Sequence, residues 1–267
     1  MVQGYFLVYS DRKLALQTNL EKGEVSLPTK KLADTKKTSI IDAVKKVLKI
    51  HVEEFEILKQ DESSLFVLIG NWEGRLSPES HLIRISWHNI RDSIKKIDDK
   101  KVCETLTFLK NTYTEVVSPA DETMGIASVE ETKNYNLTRR GAVILLKDDK
   151  DRFLVRDGDN FDSLLCNLAL GESVEEAAYR LLGSEFGTLT GLKRSGTYKD
   201  YSKKSRYNMT ILTGTYDESL TFSSETPKNG VFISSEKLKD MLMNPPKEGK
   251  TLSEGLKTAL GAFSGMK

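Results

Sequence analysis

The fold of this chain is decided by one stretch, GESVEEAAYR, which runs from Gly171 to Arg180. Ser173 followed by Glu176 three residues later is a capping-box signature, and Gly187 is a stop signal after the pattern. The apolar residues recur at i, i+3, i+4, i+7 and i+8, the spacing of one helix face; they are Val174, Ala177, Ala178, Leu181 and Leu182. The stretch therefore predicts an amphipathic α-helix with one buried face.

The elements around this helix occur twice. Each helix follows two short apolar runs that flank a charged turn, the pattern of a β-hairpin; these hairpins cover 4–16 and 141–155. The first-half helix carries its own stripe, Ile40, Ile41, Val44, Val47 and Leu48. Three further elements follow each helix: a strand-like run, a strand that leads into a helix, and a final helix. In the first half they cover 65–69, 83–90 and 101–113. In the second half they cover 209–215, 230–238 and 250–263. An internal repeat of this kind indicates two α/β domains of one design, 1–113 and 137–267, joined by a linker at 114–136.

Composition limits the function classes. The 267 residues carry 40 Lys and Arg against 39 Asp and Glu, so the net charge of +1 excludes a uniformly basic nucleic-acid coat protein. Two cysteines, Cys103 and Cys166, cannot build a disulfide framework and suit a reducing compartment. The start of the chain has no signal-peptide pattern, and no apolar run is long enough to span a membrane. We therefore expect a cytoplasmic protein without a membrane partner.

The helical stretch resembles the box of the Nudix family. Glu172, seven intervening residues and Arg180 match the spacing of that box, and Leu182, Glu185 and Gly187 fall at its aliphatic, glutamate and glycine positions. The resemblance implies two Nudix-like α/β/α sandwich domains with mixed sheets in tandem. It also implies a structural box of Gly171, Glu172, Arg180, Glu185 and Gly187, in which Glu172 and Arg180 form an orienting salt bridge.

The first half is more distant from the family. Ser26-Leu27-Pro28 resembles the start of the family's Leu-Pro-Gly-Gly loop, and Lys45 stands where the box has its arginine. The segment around Trp87 resembles the family's terminal strand-to-helix element. As the repeat of a better match, this half is predicted to be a degenerate Nudix-like domain.

The resemblance implies chemistry whose ligands are largely absent. Nudix hydrolysis uses divalent metal held by glutamates of the box helix, and Mg²⁺ requires oxygen ligands. In the second half, Leu181 and Ser184 replace two of the three carboxylates, and Cys166 replaces the first glycine. The aligned positions of the first half hold Lys46, Lys49 and Ile50, with Lys37 at the structural glutamate position. No confident catalytic residue or cofactor is predicted. If hydrolysis survives, Glu185 would hold Mg²⁺, helped by Glu172, Glu175 or Glu176 and by the phosphates of the substrate.

Two stretches are locally basic. Residues 30–49 hold seven lysines against two aspartates, and residues 193–206 hold six cations against one aspartate, with tyrosines interleaved. Cations that neutralise phosphates and rings that stack on bases favour single-strand binding. The predicted binding residues are Arg194, Tyr198, Tyr201, Lys203, Lys204, Arg206, Lys46 and Lys49. The alternative is a solvated face whose tyrosines alternate into a sheet.

These observations leave two function classes. One is a catalytically degenerate Nudix-like binding or scaffold module for RNA, a nucleotide derivative or a protein partner in an assembly. The other is a Mg²⁺-dependent Nudix hydrolase of nucleoside-diphosphate derivatives that works through the second domain. The replacement of carboxylates by Leu181 and Ser184 favours the first class.

Overall fold

A computed structural model describes residues 1–70, 75–78, 80–185, 191–201, 206–215, 230–246 and 248–263. The architecture is mixed α/β with two multi-stranded sheets, which confirms the predicted fold class. Contacts divide the chain into two compact units. Unit 1 comprises Met1–Glu115, Thr123–Val129 and Ala169–Gly171, and unit 2 comprises Val116–Glu122, Glu130–Leu168 and Glu172–Lys267.

Unit 1 is built on a mixed sheet. Its elements are β1 (Val2–Ser10), β2 (Lys13–Asn19), β3 (Val25–Ser26), β4 (Thr29–Leu32), α1 (Lys37–Leu48), β5 (Glu56–Gln60), β6 (Ser64–Ile69), β7 (Ile83–Asn89), α2 (Ile90–Lys96) and α3 (Lys100–Thr112). The strand order is β3-β2-β1-β6-β5, with β4 also paired to β1 and β7 to β2. The central pair β1–β6 is parallel, while the predicted hairpin β1–β2 is antiparallel.

Alternation along β1 sends side chains to both faces of this sheet. Phe6 and Val8 pack with the buried stripe of α1, while Leu7 and Tyr9 pack with α2 and α3. Helices therefore cover both faces of the sheet. The α1 stripe contains Ile40, Ala43, Val44, Val47 and Leu48, close to the predicted set.

The segment predicted as the linker contains regular structure. It holds most of β8 (Tyr113–Val117), together with β9 (Thr123–Ser128) and α4 (Val129–Asn134). Strand β8 pairs with β9 and continues into the second sheet through Val116, which lies opposite Arg139. The chain crosses between the units more than once, and the domain bounds inferred from sequence remain predictions.

Unit 2 has its own mixed sheet. Its elements are β10 (Thr138–Lys147), β11 (Arg152–Asp157), β12 (Phe161–Asp162), β13 (Leu164–Asn167), α5 (Val174–Glu185), β14 (Lys193–Tyr201), β15 (Arg206–Thr215), β16 (Gly230–Ser234), α6 (Ser235–Met243) and α7 (Glu254–Ala262). The strand order is β12-β11-β10-β15-β14, with β13 also paired to β10 and β16 to β11. The central pair β10–β15 is parallel, like β1–β6 of unit 1.

The faces of the second sheet are also divided between helices. Ala142 and Ile144 of β10 pack with α5, whereas Val143 and Leu145 pack with α6 and α7. Each unit is thus an α/β/α sandwich in which a hairpin precedes a helix and a strand runs directly into another helix. Among the helices of the described ranges, none combines the length and hydropathy needed to cross a membrane.

Candidate functional site

The helix α5 begins with the predicted capping box. The backbone N–H of Ser173 donates to Glu176 Oε2 at 2.8 Å, and the N–H of Glu176 donates to Ser173 Oγ at 3.1 Å. These reciprocal bonds satisfy two N–H groups that a helix start otherwise leaves without partners. The capping box therefore fixes where α5 begins.

Glu172 and Arg180 form a two-pronged ion pair. Arg180 Nε donates to Glu172 Oε1 at 2.8 Å and Arg180 Nη2 donates to Glu172 Oε2 at 2.9 Å. Nη2 also donates to the Asn167 carbonyl at 2.8 Å, and hydrogen bonding to Glu172 raises the pKa of Arg180. The pair ties the end of β13 to the middle of α5, which is an architectural role.

The positions that follow Arg180 are those where the resemblance implies metal ligands. Leu181, which stands where the resemblance implies a carboxylate, is half-buried and packs against the α5 side of the core. Within the described part of the chain, no cluster of three His, Cys, Asp or Glu side chains could hold a metal ion. Leu181 itself offers no oxygen ligand, whereas Mg²⁺ needs several. Ser184 and Glu185 end α5, but their side chains, and Gly187, lie outside the described residues, so the Glu185 metal site stays a prediction.

Cys166, at the position of the family's first box glycine, is a core residue. It lies in β13 opposite Ala142 of β10 and is 6% exposed. Burial raises the pKa of the Cys166 thiol to about 11. Because the thiolate is the nucleophilic form, burial makes this cysteine a poor nucleophile.

The corresponding helix of unit 1 presents lysines to solvent. Lys46 and Lys49 are exposed, and Ile50 is buried in the core on the α1 side of the sheet. Lys49 also ends α1 in the left-handed region with φ 57°. Lys46 and Lys49 therefore offer positive charge where a metal site would need carboxylates.

The second basic stretch forms the edge hairpin β14–β15. A bulge between Arg194 and Gly196 shifts the register of this pair. As a result, the side chains that share the α5 side of the sheet are Arg194, Lys199, Tyr201 and Arg206, a set called here the β14–β15 basic face. Lys203 and Lys204 lie outside the described residues.

Tyr198 lies on the opposite side. Its ring packs against the α6–α7 side of the core and its hydroxyl donates to the Gly255 carbonyl at 3.5 Å. Burial is the main reason that the pKa of Tyr198 is raised above its ordinary value. Tyr207 shares this side, so two of the interleaved tyrosines do alternate into the sheet.

The charges of the β14–β15 basic face are not equally available. Arg194 donates to both carboxylate oxygens of Glu175 at 2.6 and 3.1 Å, and this hydrogen bonding raises the pKa of Arg194. The guanidinium of exposed Arg206 lies 4.8 Å from the centre of the Tyr201 ring, within cation–π range. Tyr201 is itself held by a hydrogen bond to Asn208 Oδ1 at 2.9 Å. Tyr201 and Arg206 thus form an oriented ring-and-cation pair at the surface.

Sequence reasoning missed two buried arginines at the start of β10. Arg140 Nε donates to Asp121 Oδ1 at 3.1 Å, and Asn208 Nδ2 donates to the same oxygen at 3.2 Å. Arg139 lies 4.6 Å from the centre of the Tyr207 ring. The only sequence signal was a pair of charges at the beginning of an apolar strand, which does not identify their partners.

No family model matches the chain, and no curated protein matches it. Among solved structures, the chain is similar to DR0079 from Deinococcus radiodurans, with 15% identity, a TM-score of 0.46, and coverage of 57% of this chain and 99% of the other. It is also similar to a MutT protein from Methanosarcina mazei Go1, with 16% identity, a TM-score of 0.38, and coverage of 47% and 92%. The E. coli ORF135 protein matches with 15% identity, a TM-score of 0.35, and coverage of 48% and 90%.

Proposed function

We propose that the chain is a catalytically degenerate, tandem Nudix-like protein that acts as a binding module for a phosphate-rich ligand, RNA or a nucleotide derivative. One observation carries the proposal. The box helix keeps its capping box and its Glu172–Arg180 pair, while the next position is Leu181, packed on the core. The ion pair that the resemblance implies is thus present, while an apolar packing residue stands where the resemblance implies a metal-binding carboxylate.

The β14–β15 basic face supports a phosphate-rich ligand. Tyr201 offers a ring held in place by Asn208, and Arg206 and Lys199 supply exposed positive charge beside it. A ring for a base and cations for phosphates are the two parts of a sequence-tolerant single-strand site. Cys103 and Cys166 form no disulfide, which agrees with a reducing, cytoplasmic location as part of the same proposal.

The test is a titration of single-stranded RNA against the full chain at two salt concentrations. We expect affinity to fall as salt rises, because bound cations release counterions from the phosphates. Tyr201→Ala should weaken binding by about 5- to 100-fold, the usual range for loss of one base–aromatic stack. Lys203→Ala combined with Lys204→Ala should reduce the salt dependence.

Lys239→Ala is the matched control, since Lys239 is exposed on α6, away from the β14–β15 basic face. It should leave RNA affinity unchanged. Equal losses of RNA affinity in Lys239→Ala and Tyr201→Ala would show that RNA binds through nonspecific electrostatic attraction, and this would contradict the proposal. If neither RNA nor nucleotides bind, a protein partner in an assembly becomes the remaining binding function.

The hydrolase alternative is settled by a turnover assay. The chain is incubated with Mg²⁺ or Mn²⁺ and a panel of nucleoside-diphosphate derivatives, and released phosphate or nucleotide is measured. We expect no turnover, because Leu181 and Ser184 stand where the resemblance implies metal-binding carboxylates. Turnover that disappears in Glu185→Gln would establish the hydrolase and end the degenerate-enzyme proposal.

A further inference from the structure

Unit 1 contains a cavity that the proposed function does not use. Its volume is about 370 Å³, within the usual range of small-molecule sites. The cavity lies where the start of α1 meets the segment that leads into β5. Its lining residues are Thr35, Lys37, Ile40, Glu54, Phe55 and Ile57.

One part of the lining is apolar. Ile40 is fully buried, and Phe55 is half-buried and packs on the same core. Ile57, on the edge strand β5, remains 45% exposed. An apolar group placed in the cavity would cover Ile57 and contact the Phe55 ring, and removing this surface from water is favourable. The cavity therefore favours a ligand that carries a large apolar group.

The other part of the lining carries one charge of each sign. Lys37 supplies an ammonium group at the first residue of α1, and Glu54 supplies a carboxylate shortly before β5. Both residues are exposed, and among the residues that the structure describes neither side chain makes an ion pair or a hydrogen bond. The lining can therefore pair with an anionic group and a cationic group of one ligand at the same time.

The carboxylates around the start of α1 do not favour a polyanion. Asp34 accepts from the backbone N–H of Lys36 at 3.0 Å, and hydrogen bonds from Ser39 and Lys36 lower the pKa of Asp34. The ionised Asp34 offsets the partial positive charge of the helix start. Because Glu54 is a second carboxylate, a dianion would be repelled here, whereas a ligand without net charge would not.

We propose that this cavity binds a free amino acid with a large apolar side chain. The carboxylate of the amino acid pairs with Lys37, its ammonium group pairs with Glu54, and its side chain lies against Phe55 and Ile57. The Thr35 hydroxyl accepts a further hydrogen bond from the ammonium group. The site does not rest on RNA binding by the β14–β15 basic face, and it requires neither a metal nor turnover.

The test is a titration of the full chain with L-phenylalanine, followed by calorimetry or ligand-observed NMR. The analogue 3-phenylpropionate lacks the ammonium group and 2-phenylethylamine lacks the carboxylate, so each should bind at least about tenfold more weakly than phenylalanine. L-Alanine keeps both charges but loses the apolar contact, and it should also bind at least about tenfold more weakly. The uncharged N-acetyl-L-phenylalanine amide represents a peptide segment, and affinity equal to that of phenylalanine would overturn the proposal.

Two variants separate the two charged contacts. Lys37→Gln should weaken phenylalanine binding by about tenfold without weakening the binding of 2-phenylethylamine, because this amine has no carboxylate to pair. Glu54→Gln should weaken phenylalanine binding to a similar extent without weakening the binding of 3-phenylpropionate. Retained binding of the half-ligand shows that each variant is folded. Equal losses for phenylalanine and the half-ligand would contradict the assigned contact.

Lys45→Gln and Glu53→Gln are the matched controls, because both residues are exposed, lie outside the cavity lining and lose the same charges. Each should change the affinity for phenylalanine by less than about twofold, as expected of a surface charge. Absence of phenylalanine binding at millimolar concentration, or losses in the controls equal to those in Lys37→Gln and Glu54→Gln, would overturn the proposal. Tyr201→Ala should leave the affinity for phenylalanine intact, so failure here is distinguishable from failure of the RNA proposal.

Discussion

The Arg180 guanidinium donates two hydrogen bonds to Glu172 and a third to the Asn167 carbonyl. We expect Arg180→Ala to lower the free energy of unfolding by about 1–3 kcal/mol, since hydrogen bonds to charged groups are lost around a carboxylate that is 9% exposed. Arg180→Lys should recover only part of this, because an ammonium group cannot reproduce the planar fork. Urea unfolding, monitored by circular dichroism, measures the free energy of unfolding of both variants. Full recovery of stability in Arg180→Lys would show that the charge alone, and not the two-pronged geometry, accounts for the stabilising effect of the Glu172 ion pair.

Asp148 gives a prediction about pH. Its side chain is fully buried in the turn of the β10–β11 hairpin and accepts from the N–H of Arg152 at 2.8 Å and from Arg152 Nε at 2.7 Å. Burial alone would raise the pKa of Asp148, but the hydrogen bonds from Arg152 outweigh it and lower the pKa below its ordinary value. A carboxylate with a lowered folded-state pKa adds stability above its unfolded pKa of about 4, and that stability is lost as pH falls through the folded pKa.

Asp148→Asn should therefore destabilise the protein by about 1–3 kcal/mol at neutral pH and flatten the decline of stability below about pH 4. Urea midpoints measured across that pH range test the prediction. Asp149→Asn, in the exposed turn beside it, is the control. If stability falls as steeply with decreasing pH in Asp148→Asn as in the unmodified chain, Asp148 is not the group responsible for the acid dependence.

At the scale of elements, α1 begins without a side-chain cap. Lys36 has the extended backbone of an N-cap residue, with φ −67° and ψ 149°, but makes no capping bond. Lys36→Asp should supply the missing acceptor and stabilise unit 1 by about 0.5–2 kcal/mol. Thermal unfolding measures the gain, and Lys36→Ala removes the same charge without adding an acceptor. A gain of similar size in Lys36→Ala would show that relief of lysine repulsion, and not capping, is responsible.

Elements whose signals are local were predictable from the sequence. The hairpins, the stripes of α1 and α5 and the capping box follow from periodicity and cap residues a few positions apart. The assignment of β14 side chains to the two sides of the sheet was not predictable in the same way. Simple alternation puts Arg194 and Tyr198 on one side, but the bulge before Gly196 separates them, and bulges depend on the partner strand. The strands within 114–136 were also missed, because that stretch shows no clean period.

At the scale of the whole molecule, unit 1 includes a short piece of chain from the second half. Leu170 is fully buried in the core on the α2–α3 side of unit 1. Gly171 follows with φ 72°, and a Cβ there would lie 3.3 Å from the Arg12 carbonyl oxygen and the Ile90 side chain. Both the left-handed backbone and the tight space favour glycine at this position. Sequence reasoning assigned Gly171 to the box of the second domain alone, because a long-range contact leaves no local pattern.

Leu170→Ala should accordingly destabilise unit 1 by about 2–5 kcal/mol, the usual loss for a buried leucine. Trp87 of β7 lies in unit 1, so its fluorescence reports on the folding of unit 1. The urea midpoint followed by fluorescence should fall in Leu170→Ala. Leu168→Ala, two residues earlier but in the core of unit 2, should leave that midpoint in place. The reverse pattern would contradict this division of the chain.

The placement of Leu170 has a consequence for biosynthesis. A ribosome delivers the chain from its N-terminus, and domains generally fold as units in that order. Unit 1 cannot complete its core after residue 115, because Leu170 leaves the ribosome only after β10 to β13 have been synthesised. Until then, the place of Leu170 in the core of the nascent unit 1 is unfilled, while β10 to β13 of the second sheet leave the ribosome. We expect ribosome-bound chains that expose 1–115 to be more sensitive to protease than chains that extend beyond residue 171.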